Sequence, residues 1–222
     1  MIIKTEKHVP LAWIDGPIAV GKTTTAEKIC ERLGWQYLKE RFQDNRLVDE
    51  FYKDEKRWAF AFQMQMLFKR ARSKNYAEAA IMASMVKGIA LDRSIAGDKV
   101  FARVNHELGN INDHEMAIYE DAFDYLARGI RAPTVLVYID AQPATMMRRL
   151  KARGRDCETK VSLEYLTQLR DGYERMLDEL ESGRSPWGSH VRIERIVGDV
   201  DTISEDCWDG TAETIRRFCE RR

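Results

Sequence analysis

The residues best suited to chemistry lie near the amino terminus, where Gly16, Gly21, Lys22 and Thr23 follow the spacing G-x-x-x-x-G-K-T. In this Walker A pattern a glycine-rich turn points its backbone N–H groups at phosphate oxygens. The Lys22 ammonium can bridge the terminal phosphates of a nucleoside triphosphate, and the Thr23 hydroxyl can ligate Mg²⁺. The alternative is an ordinary glycine turn whose lysine reaches into solvent. The strand expected before the motif and the helix expected after it favour a site for ATP and Mg²⁺.

Two acidic residues stand where parallel strands are expected to end. The alternating segment from Trp35 ends at Glu40, and the apolar segment 89–91 is followed directly by Asp92 and Arg93. In parallel α/β sheets these strand ends face the ligand crevice. Glu40 is therefore a candidate general base and Asp92 a candidate Mg²⁺ anchor, with Arg93 near the phosphates. The competing explanations are a solvated glutamate and a surface Asp–Arg ion pair.

A helical segment from Leu47 to about Met85 carries two polar residues on its apolar side. Gln63 and Arg70 are separated by two helical turns, so they project from the same face. An amide can both donate to and accept from a nucleobase edge, and a guanidinium can form paired hydrogen bonds. The alternative is an exposed polar pair. The apolar residues of this stripe are expected in the core: Trp58, Phe62, Met66 and Leu67.

A cluster of basic residues follows Pro143, which is expected to open a helix. The cluster consists of Arg148, Arg149, Lys151, Arg153 and Arg155. Arg149 and Arg153 lie one helical turn apart and face the same way, so they can close on a phosphate chain from the side opposite Lys22. Such a cluster is otherwise a solvated helix face or a nucleic-acid patch. Beside a Walker A motif it predicts a lid over about residues 148–160.

The elements that must position these residues alternate between strands and helices. Strands are predicted at 11–14, 35–40, 89–91, 134–140 and 191–197, with helical segments after each of them. This pattern predicts an α/β fold of the P-loop NTPase type, with three layers and a central five-stranded parallel sheet flanked by helices. The whole chain, residues 1–222, is expected to form one domain. The amphipathic helix from Asn112 to Arg128 fits either the core of a monomer or an interface between subunits.

The composition argues against several other classes of protein. Lysine plus arginine and aspartate plus glutamate both number 36, so no overall basic charge is present to bind nucleic acid. The four cysteines form no C-x-x-C pair and lie near no histidine at zinc spacing, which indicates reduced thiols. The first ten residues match neither a secretory signal nor a transit peptide, and no apolar run reaches membrane-spanning length. We therefore expect a soluble cytoplasmic protein with no membrane or nucleic-acid partner.

Taken together, these segments resemble the deoxynucleoside kinase family over nearly the whole chain. The resemblance is carried by GPIAVGKT in the P-loop, YKDEKRWAFAFQ from Tyr52, DRSIAGD from Asp92, RGRDCE from Arg153 and LEYL from Leu163. Each segment is only modestly specific, but their order and spacing together are specific. The resemblance implies transfer of the γ-phosphate of ATP, with Mg²⁺, to the 5′-hydroxyl of a deoxynucleoside in nucleotide salvage. It also implies a homodimer.

The resemblance further implies roles for individual residues. Glu40 would take the proton of the 5′-hydroxyl, Lys22 and Arg93 would stabilise the transferred phosphoryl group, and Thr23 and Asp92 would hold Mg²⁺. The residues implied to bind ATP are Gly16, Ala19, Val20, Gly21, Lys22, Thr23, Thr24, Arg149, Arg153 and Arg155. The residues implied to bind the nucleoside are Glu40, Tyr52, Trp58, Phe62, Gln63, Arg70, Arg93, Asp98, Phe101 and Glu158.

Within the nucleoside site the resemblance assigns contacts to separate parts of the acceptor. Tyr52 and Glu158 are implied to hold the 3′-hydroxyl, and Gln63 to pair with the base. Arg70 and Asp98 match a pair that contacts the base edge in family members preferring purines or deoxycytidine. This match favours deoxyadenosine, deoxyguanosine or deoxycytidine over thymidine.

Two other functions remain open at this point. A nucleoside monophosphate kinase of the thymidylate kinase type would share the P-loop and the lid, but it needs a further cationic site for the acceptor's phosphate. Arg41 and Arg46 are candidates for that site, although Glu40 beside them would repel the phosphate. A nucleotide-binding regulator would use the same fold without turnover, and the combination of base, metal anchor and lid argues against it.

Overall fold

A sheet of five parallel strands lies at the centre of the described residues. The computed structural model describes residues 9–40, 47–155, 158–188, 191–199 and 203–220. The strands are β1 (Leu11–Asp15), β2 (Gln36–Leu38), β3 (Ile89–Asp92), β4 (Val135–Asp140) and β5 (Arg192–Val197). The helices are α1 (Lys22–Leu33), α2 (Val48–Lys53), α3 (Glu55–Met82), α4 (Ile95–Glu107), α5 (Asp113–Arg128), α6 (Pro143–Arg153), α7 (Leu163–Glu181) and α8 (Glu205–Glu220). The predicted five-stranded parallel sheet is confirmed.

The strand order determines where a ligand can bind. The order is β2-β3-β1-β4-β5, so the chain moves to one side of β1 for β2 and β3 and to the other side for β4 and β5. In register, Ile14 lies beside Asp92 of β3 and beside Val137 of β4. In open α/β sheets the ligand crevice forms at such a switch point, at the carboxyl ends of the strands. The P-loop leaves β1 at this position.

The two faces of the sheet bury separate apolar layers, as the three-layer prediction requires. Leu11 and Trp13 of β1 belong to a cluster with residues of α3, α4, α5 and α7. Ala12 and Ile14 belong to a second cluster with residues of α1, α6 and α8. Because side chains alternate along a strand, a central strand covered on both faces is apolar at every position. All five residues of β1 are buried.

The predicted long helical segment from Leu47 is interrupted at Asp54. The backbone of Asp54 leaves the helical region, and its side chain accepts a hydrogen bond of 3.1 Å from the N–H of Arg57. Aspartate is a favoured N-cap because its carboxylate satisfies an N–H group that has no partner within the helix. Two helices, α2 and α3, therefore replace the single predicted one. The break separates Tyr52 from the face that carries Gln63 and Arg70.

The bounds of two further elements fix the position of site residues. Strand β2 ends at Leu38, two residues earlier than predicted, so Glu40 lies in the segment that follows the strand. Helix α6 begins at Pro143 as predicted and ends where Gly154 adopts a left-handed conformation with φ of 60°. Glycine is favoured there because it has no Cβ to clash. The predicted lid, at about residues 148–160, therefore begins in the second half of α6 and continues past Gly154.

Among the described residues, no helix is both long enough and apolar enough to cross a membrane. Three of the four cysteines, Cys30, Cys207 and Cys219, form no disulfide bond among the described residues. Cys157 lies outside the described residues.

Candidate active site

A cavity of about 400 Å³ lies at the carboxyl edge of the sheet, between the P-loop, α3 and the predicted lid. The predicted site residues line it, with four exceptions: Gly16, Val20, Trp58 and Asp98. Five lining residues were not predicted: Ile18, Lys39, Phe51, Met66 and Tyr165. The residues expected to bind ATP and those expected to bind the nucleoside therefore share one cavity.

The P-loop wraps around the ammonium of Lys22. The Lys22 Nζ donates to the carbonyl oxygens of Gly16 at 3.0 Å and Pro17 at 2.5 Å. Gly16 has φ of 143°, and a Cβ there would lie 2.5 Å from the Ile139 carbonyl oxygen, so only glycine fits. Burial and the neighbouring guanidinium of Arg93 lower the pKa of Lys22 to about 7. Because anionic phosphates would favour the charged ammonium, this pKa is expected to rise when a nucleotide binds.

The carboxylate of Glu40 lies between two guanidinium groups at the other end of the cavity. Arg70 donates to its Oε1 through Nε at 2.9 Å and Nη2 at 2.7 Å, and Arg93 Nε donates to Oε2 at 3.2 Å. Burial by itself would raise the pKa of Glu40, but Arg70, Arg93 and Lys22 together lower it below its usual value. Glu40 is therefore ionised at neutral pH and can accept a hydrogen bond from a hydroxyl group.

Asp98 lies behind Arg70 and does not line the cavity. It is fully buried, its Oδ1 pairs with Arg70 Nη1, and its Oδ2 accepts a hydrogen bond of 2.5 Å from the hydroxyl of Tyr119. Arg70 thus joins Asp98 to Glu40, and only Arg70 of the expected base-edge pair reaches the cavity wall. Gln63 is also buried and lines the cavity. The alternative of Gln63 and Arg70 as an exposed polar pair is wrong.

Arg93 connects the two ends of the cavity. Its Nη1 donates to the Gly16 carbonyl at 3.3 Å, while its Nε reaches Glu40, and its guanidinium lies 4.5 Å from the centre of the Phe101 ring. Its backbone has φ of 71°, a left-handed conformation that is uncommon outside glycine. The side chain is buried, which excludes the alternative of a surface Asp92–Arg93 pair. One guanidinium therefore contacts both the phosphate loop and the candidate base.

Thr23 and Asp92 meet at the start of α1, where a cation beside the phosphates would lie. The Thr23 hydroxyl donates to Asp92 Oδ2 at 3.2 Å, and the hydroxyl of Tyr37 donates to the same oxygen at 2.7 Å. Hydroxyl and carboxylate oxygens suit Mg²⁺, which usually completes its shell with water and substrate phosphates. The described residues hold no group of three or more His, Cys, Asp or Glu that could bind a metal on its own. The arrangement fits an ion held partly by a nucleotide.

The predicted lid residues contact the acceptor side of the cavity as well as the P-loop. Arg149 Nη1 donates to the Val20 carbonyl at 3.2 Å. Arg153 forms a bidentate pair with Glu158, with Nη2 at 2.6 Å from Oε1 and 2.5 Å from Oε2, and Arg155 Nη1 lies 3.5 Å from the same carboxylate. Glu158, expected to hold the 3′-hydroxyl, is thus already bound by lid arginines. Asp156 and Cys157 lie outside the described residues.

Trp58, which the resemblance implied to bind the nucleoside, does not contribute to the cavity wall, and other aromatic residues do. Trp58 is half-buried against the core, with the guanidinium of Arg57 5.3 Å from its ring centre, and it does not line the cavity. Phe51 and Phe62 line it instead, stacked with ring centres 4.6 Å apart. Arg41 and Arg46, the candidates for an acceptor-phosphate site, lie outside the described residues.

Sequence reasoning missed two buried residues beneath the P-loop. Asp15, the last residue of β1, bonds to the Gly16 N–H and to the hydroxyl of Tyr173, which in turn accepts a hydrogen bond from Arg93. The sequence did contain a signal for Asp15, namely a charged residue at the end of an apolar strand. Such a residue is buried and therefore needs a hydrogen-bonding partner. Tyr173 gave no such signal, since it fits the apolar stripe of α7.

Comparisons with known proteins indicate the family of this chain. A family model described as deoxynucleoside kinase matches residues 12–216. The chain is 33% identical to the deoxyadenosine kinase of Dictyostelium discoideum over 167 residues, 75% of this chain and 66% of that protein, just under two thirds of its length. It is 30% identical to the deoxyguanosine kinase of Bacillus subtilis (strain 168) over 174 residues, 78% of this chain and 80% of that protein.

A solved structure shares the fold. The structure of deoxyadenosine kinase from M. mycoides with bound dCTP matches with a TM-score of 0.76 and 21% identity, and the match covers 93% of this chain and 99% of that chain. At this identity the likeness concerns the fold alone. The family match extends over most of the sequence, and it includes the P-loop, Glu40, Arg93 and the lid arginines. This chain belongs to the deoxynucleoside kinase family.

Proposed function

We propose that this chain transfers the γ-phosphate of ATP to the 5′-hydroxyl of a deoxynucleoside that carries a purine base or cytosine. The observation that carries the proposal is the position of Arg93, which bonds at once to the P-loop carbonyl of Gly16 and to the carboxylate of Glu40. A phosphate donor bound at Lys22 and a hydroxyl acceptor bound at Glu40 would then meet beside one guanidinium. This is the geometry that transfer between two bound substrates requires.

The chemical step assigns one task to each residue. The acceptor's 5′-oxygen attacks the γ-phosphorus, the bond from that phosphorus to the bridging oxygen of ADP breaks, and the hydroxyl proton passes to Glu40 and then to solvent. Because the pKa of Glu40 is low, its first task is to orient the hydroxyl, and the proton moves late in the step. Lys22 and Arg93 stabilise the charge that develops on the phosphoryl oxygens. Mg²⁺ at Thr23 and Asp92 would neutralise phosphate charge when bound.

The choice of acceptor rests on the far wall of the cavity. Gln63 is buried there and can pair with a base edge, and Arg70 presents a guanidinium held by Asp98 behind it. A polar wall of this kind suits a base with several hydrogen-bonding groups. The similarity to deoxyadenosine and deoxyguanosine kinases supports a purine. Tyr52 and Glu158 are proposed to hold the 3′-hydroxyl, and Phe101 to stack on the base.

We further propose a homodimer that uses α3 and α5. These helices pack against each other, and each leaves large apolar side chains exposed, namely Phe68 and Tyr76 on α3 and Ile118 and Tyr125 on α5. Exposed apolar residues of this size often mark a protein contact. Sedimentation velocity should show a dimer for the wild type and a monomer for Tyr125→Glu. A monomeric wild type would contradict the proposal.

Other features of the proposed enzyme follow from the same residues. We propose that residues 1–222 form a single kinase domain, with the lid at about residues 148–160. The lack of a disulfide bond at Cys30, Cys207 and Cys219 among the described residues supports the proposal of a reducing, cytoplasmic setting.

The function is tested by product analysis. Purified protein with ATP and Mg²⁺ is incubated with each of the four deoxynucleosides, with the matching monophosphates and ribonucleosides as parallel acceptors. We expect 5′-monophosphates from deoxyadenosine, deoxyguanosine or deoxycytidine, and loss of the product with Lys22→Met. Product from monophosphates alone would assign the protein to the monophosphate kinases, and preference for thymidine would contradict the roles of Gln63 and Arg70.

A further inference from the structure

A buried group of polar side chains lies beneath the P-loop, outside the cavity. Asp15 is fully buried at the end of β1, and its Oδ1 accepts from the Gly16 N–H at 2.9 Å and from the Tyr173 hydroxyl at 2.6 Å. Its Oδ2 accepts from the N–H of Ser94 at 2.9 Å and from the Ser94 hydroxyl. A buried carboxylate is stable only with such partners. Asp15 thus joins the P-loop, the turn after β3 and helix α7.

The Tyr173 hydroxyl extends this group to the active site. It accepts a hydrogen bond of 2.6 Å from Arg93 Nη1 while it donates its own proton to Asp15. Burial and the nearby carboxylate raise the pKa of Tyr173 well above its usual value, so the phenol remains neutral and keeps both bonds. Tyr173 therefore bridges the P-loop anchor and the guanidinium that contacts Glu40 by hydrogen bonds, whereas Arg93 Nη1 lies 4.0 Å from Asp15 Oδ1.

The packing around Tyr173 brings its hydroxyl close enough for these bonds. A Cβ on Gly172 would lie 2.8 Å from Val100 Cγ1, so glycine at this position lets α7 approach α4. A Cβ on Gly97 would overlap both carboxylate oxygens of Asp15, so the first turn of α4 also packs directly on the group. The close packing at Gly172 of α7 and at Gly97 of α4 thus holds Tyr173 and Asp15 in place.

Arg93 needs an anchor of this kind. Its side chain is long, and an unrestrained guanidinium would lose rotamer entropy on each encounter with substrate. Its backbone adopts φ of 71° in the turn after β3, and its side chain is buried. Glu40 lines the cavity and will contact substrate, whereas Tyr173 does not line it. The contact with the phenol therefore stays in place while the contact with Glu40 exchanges with substrate.

We propose that Tyr173 is a positioning residue, which sets the Arg93 guanidinium between the P-loop and Glu40 for phosphoryl transfer. The proposal rests on the proposed function, because it assigns Arg93 to the reacting phosphate. Removing the hydroxyl leaves Asp15 with three of its four donors, so the P-loop anchor persists and only the tether of Arg93 is lost. Since small misplacements of a catalytic group are costly, we expect kcat to fall by about 10- to 100-fold.

The test compares two tyrosine substitutions. Tyr173→Phe removes the tether, and Tyr138→Phe is the matched control, because Tyr138 is equally buried and its ring stacks on Tyr173 with centres 5.8 Å apart. The Tyr138 hydroxyl makes no hydrogen bond to Asp15, Tyr173 or Arg93, so it takes no part in the group. We expect a lower kcat with KM for both substrates within about threefold for Tyr173→Phe, and wild-type values for Tyr138→Phe. A wild-type kcat for Tyr173→Phe, or a change mainly in KM, would overturn the proposal.

A double-mutant cycle separates positioning from a general structural effect. If Tyr173 acts through Arg93, then Tyr173→Phe in an Arg93→Lys background should lower kcat no further. Equal losses in the two backgrounds would mean that Tyr173 acts independently of Arg93, which would overturn the proposal.

A measurement that needs no turnover distinguishes failure of this proposal from failure of the proposed function. In heteronuclear NMR of arginine side chains, the Arg93 signal should be protected from exchange in the wild type and show contacts with Tyr173, with Arg93→Lys providing the assignment. The protection should be lost in Tyr173→Phe and retained in Tyr138→Phe. A wild-type signal without protection would overturn the proposal even if every transfer assay failed, and even if Tyr173→Phe did not fold.

Discussion

Replacing Glu40 by glutamine tests how the charge around the candidate base supports the reaction. The carboxylate accepts three hydrogen bonds, two from Arg70 and one from Arg93. Glutamine has nearly the same shape as glutamate, but it offers only one acceptor oxygen. Its NH₂ group is a donor and would face the N–H donors of a guanidinium, with which it cannot form a hydrogen bond. The variant therefore removes a negative charge and disturbs both arginines, while the volume of the cavity stays nearly the same.

The size of the effect can be worked out from these contacts. Loss of a positioned proton acceptor lowers kcat by about 10²- to 10⁴-fold. Removing one partner of a buried ion pair costs about 3–5 kcal/mol of stability. Arg70 keeps Asp98 and Arg93 keeps Tyr173, so we expect the lower end of that range. At about 2–4 °C per kcal/mol for a chain of this size, Tm should fall by roughly 6–12 °C.

Turnover and nucleoside binding are measured separately, at a temperature where both proteins are folded. We expect Glu40→Gln to bind the deoxynucleoside within about threefold of the wild type by calorimetry, because binding draws on many contacts. Glu213→Gln is the matched control, since it makes the same chemical change on the exposed side of α8. An unchanged kcat for Glu40→Gln, or an equal loss in Glu213→Gln, would refute the assignment of Glu40 as the base.

Three further predictions concern the P-loop, the metal anchor and the packing beneath them. Because the pKa of Lys22 is about 7 in the empty site and rises when phosphates bind, ATP binding should take up a proton, and affinity should fall as pH rises above 7. Calorimetry in buffers of different ionisation enthalpy measures this uptake, and pH-independent binding would contradict it. Tyr37→Phe removes a hydrogen bond to Asp92, the proposed Mg²⁺ anchor, so it should raise the Mg²⁺ concentration for half-maximal activity by about tenfold. An unchanged Mg²⁺ titration would contradict the role of Tyr37 in orienting Asp92. Gly97→Ala should lower the free energy of unfolding by about 1–3 kcal/mol, because the added Cβ would clash with the Asp15 carboxylate. Gly210→Ala on α8 should raise the free energy of unfolding by about 0.5–1 kcal/mol, because no atom lies near the added Cβ. Thermal unfolding compares the two, and equal shifts would argue against close packing at Gly97.

The sequence predicted the fold because its strongest signals are local. The segment 134–140 is rich in β-branched residues and nearly all apolar, and strand β4 forms over Val135–Asp140. The Walker A motif lies between a strand and a helix, as its chemistry requires. The break at Asp54 was also a local signal, an N-cap residue before an apolar run, but the helical pattern on both sides obscured it.

The candidate site was predicted less completely, because its geometry depends on pairs that are distant in sequence. Asp15 and Tyr173 are 158 residues apart, and nothing in either segment indicates that they bond. Asp98 and Arg70 were expected side by side at a base edge, but Asp98 turns inward to Tyr119. Which carboxylate an arginine selects is decided by tertiary packing, and charge patterning along the chain does not specify it.

The central claim is that the acceptor hydroxyl and the donor phosphate bind on either side of Arg93. A crystal structure with deoxyadenosine, Mg²⁺ and a non-hydrolysable β,γ-imido analogue of ATP tests it most directly. We predict the 5′-oxygen within about 3.2 Å of a Glu40 carboxylate oxygen and about 3–3.5 Å from the γ-phosphorus, with the phosphates at Lys22. A nucleoside whose 5′-oxygen points away from Glu40, or a nucleotide bound outside the P-loop, would contradict the account.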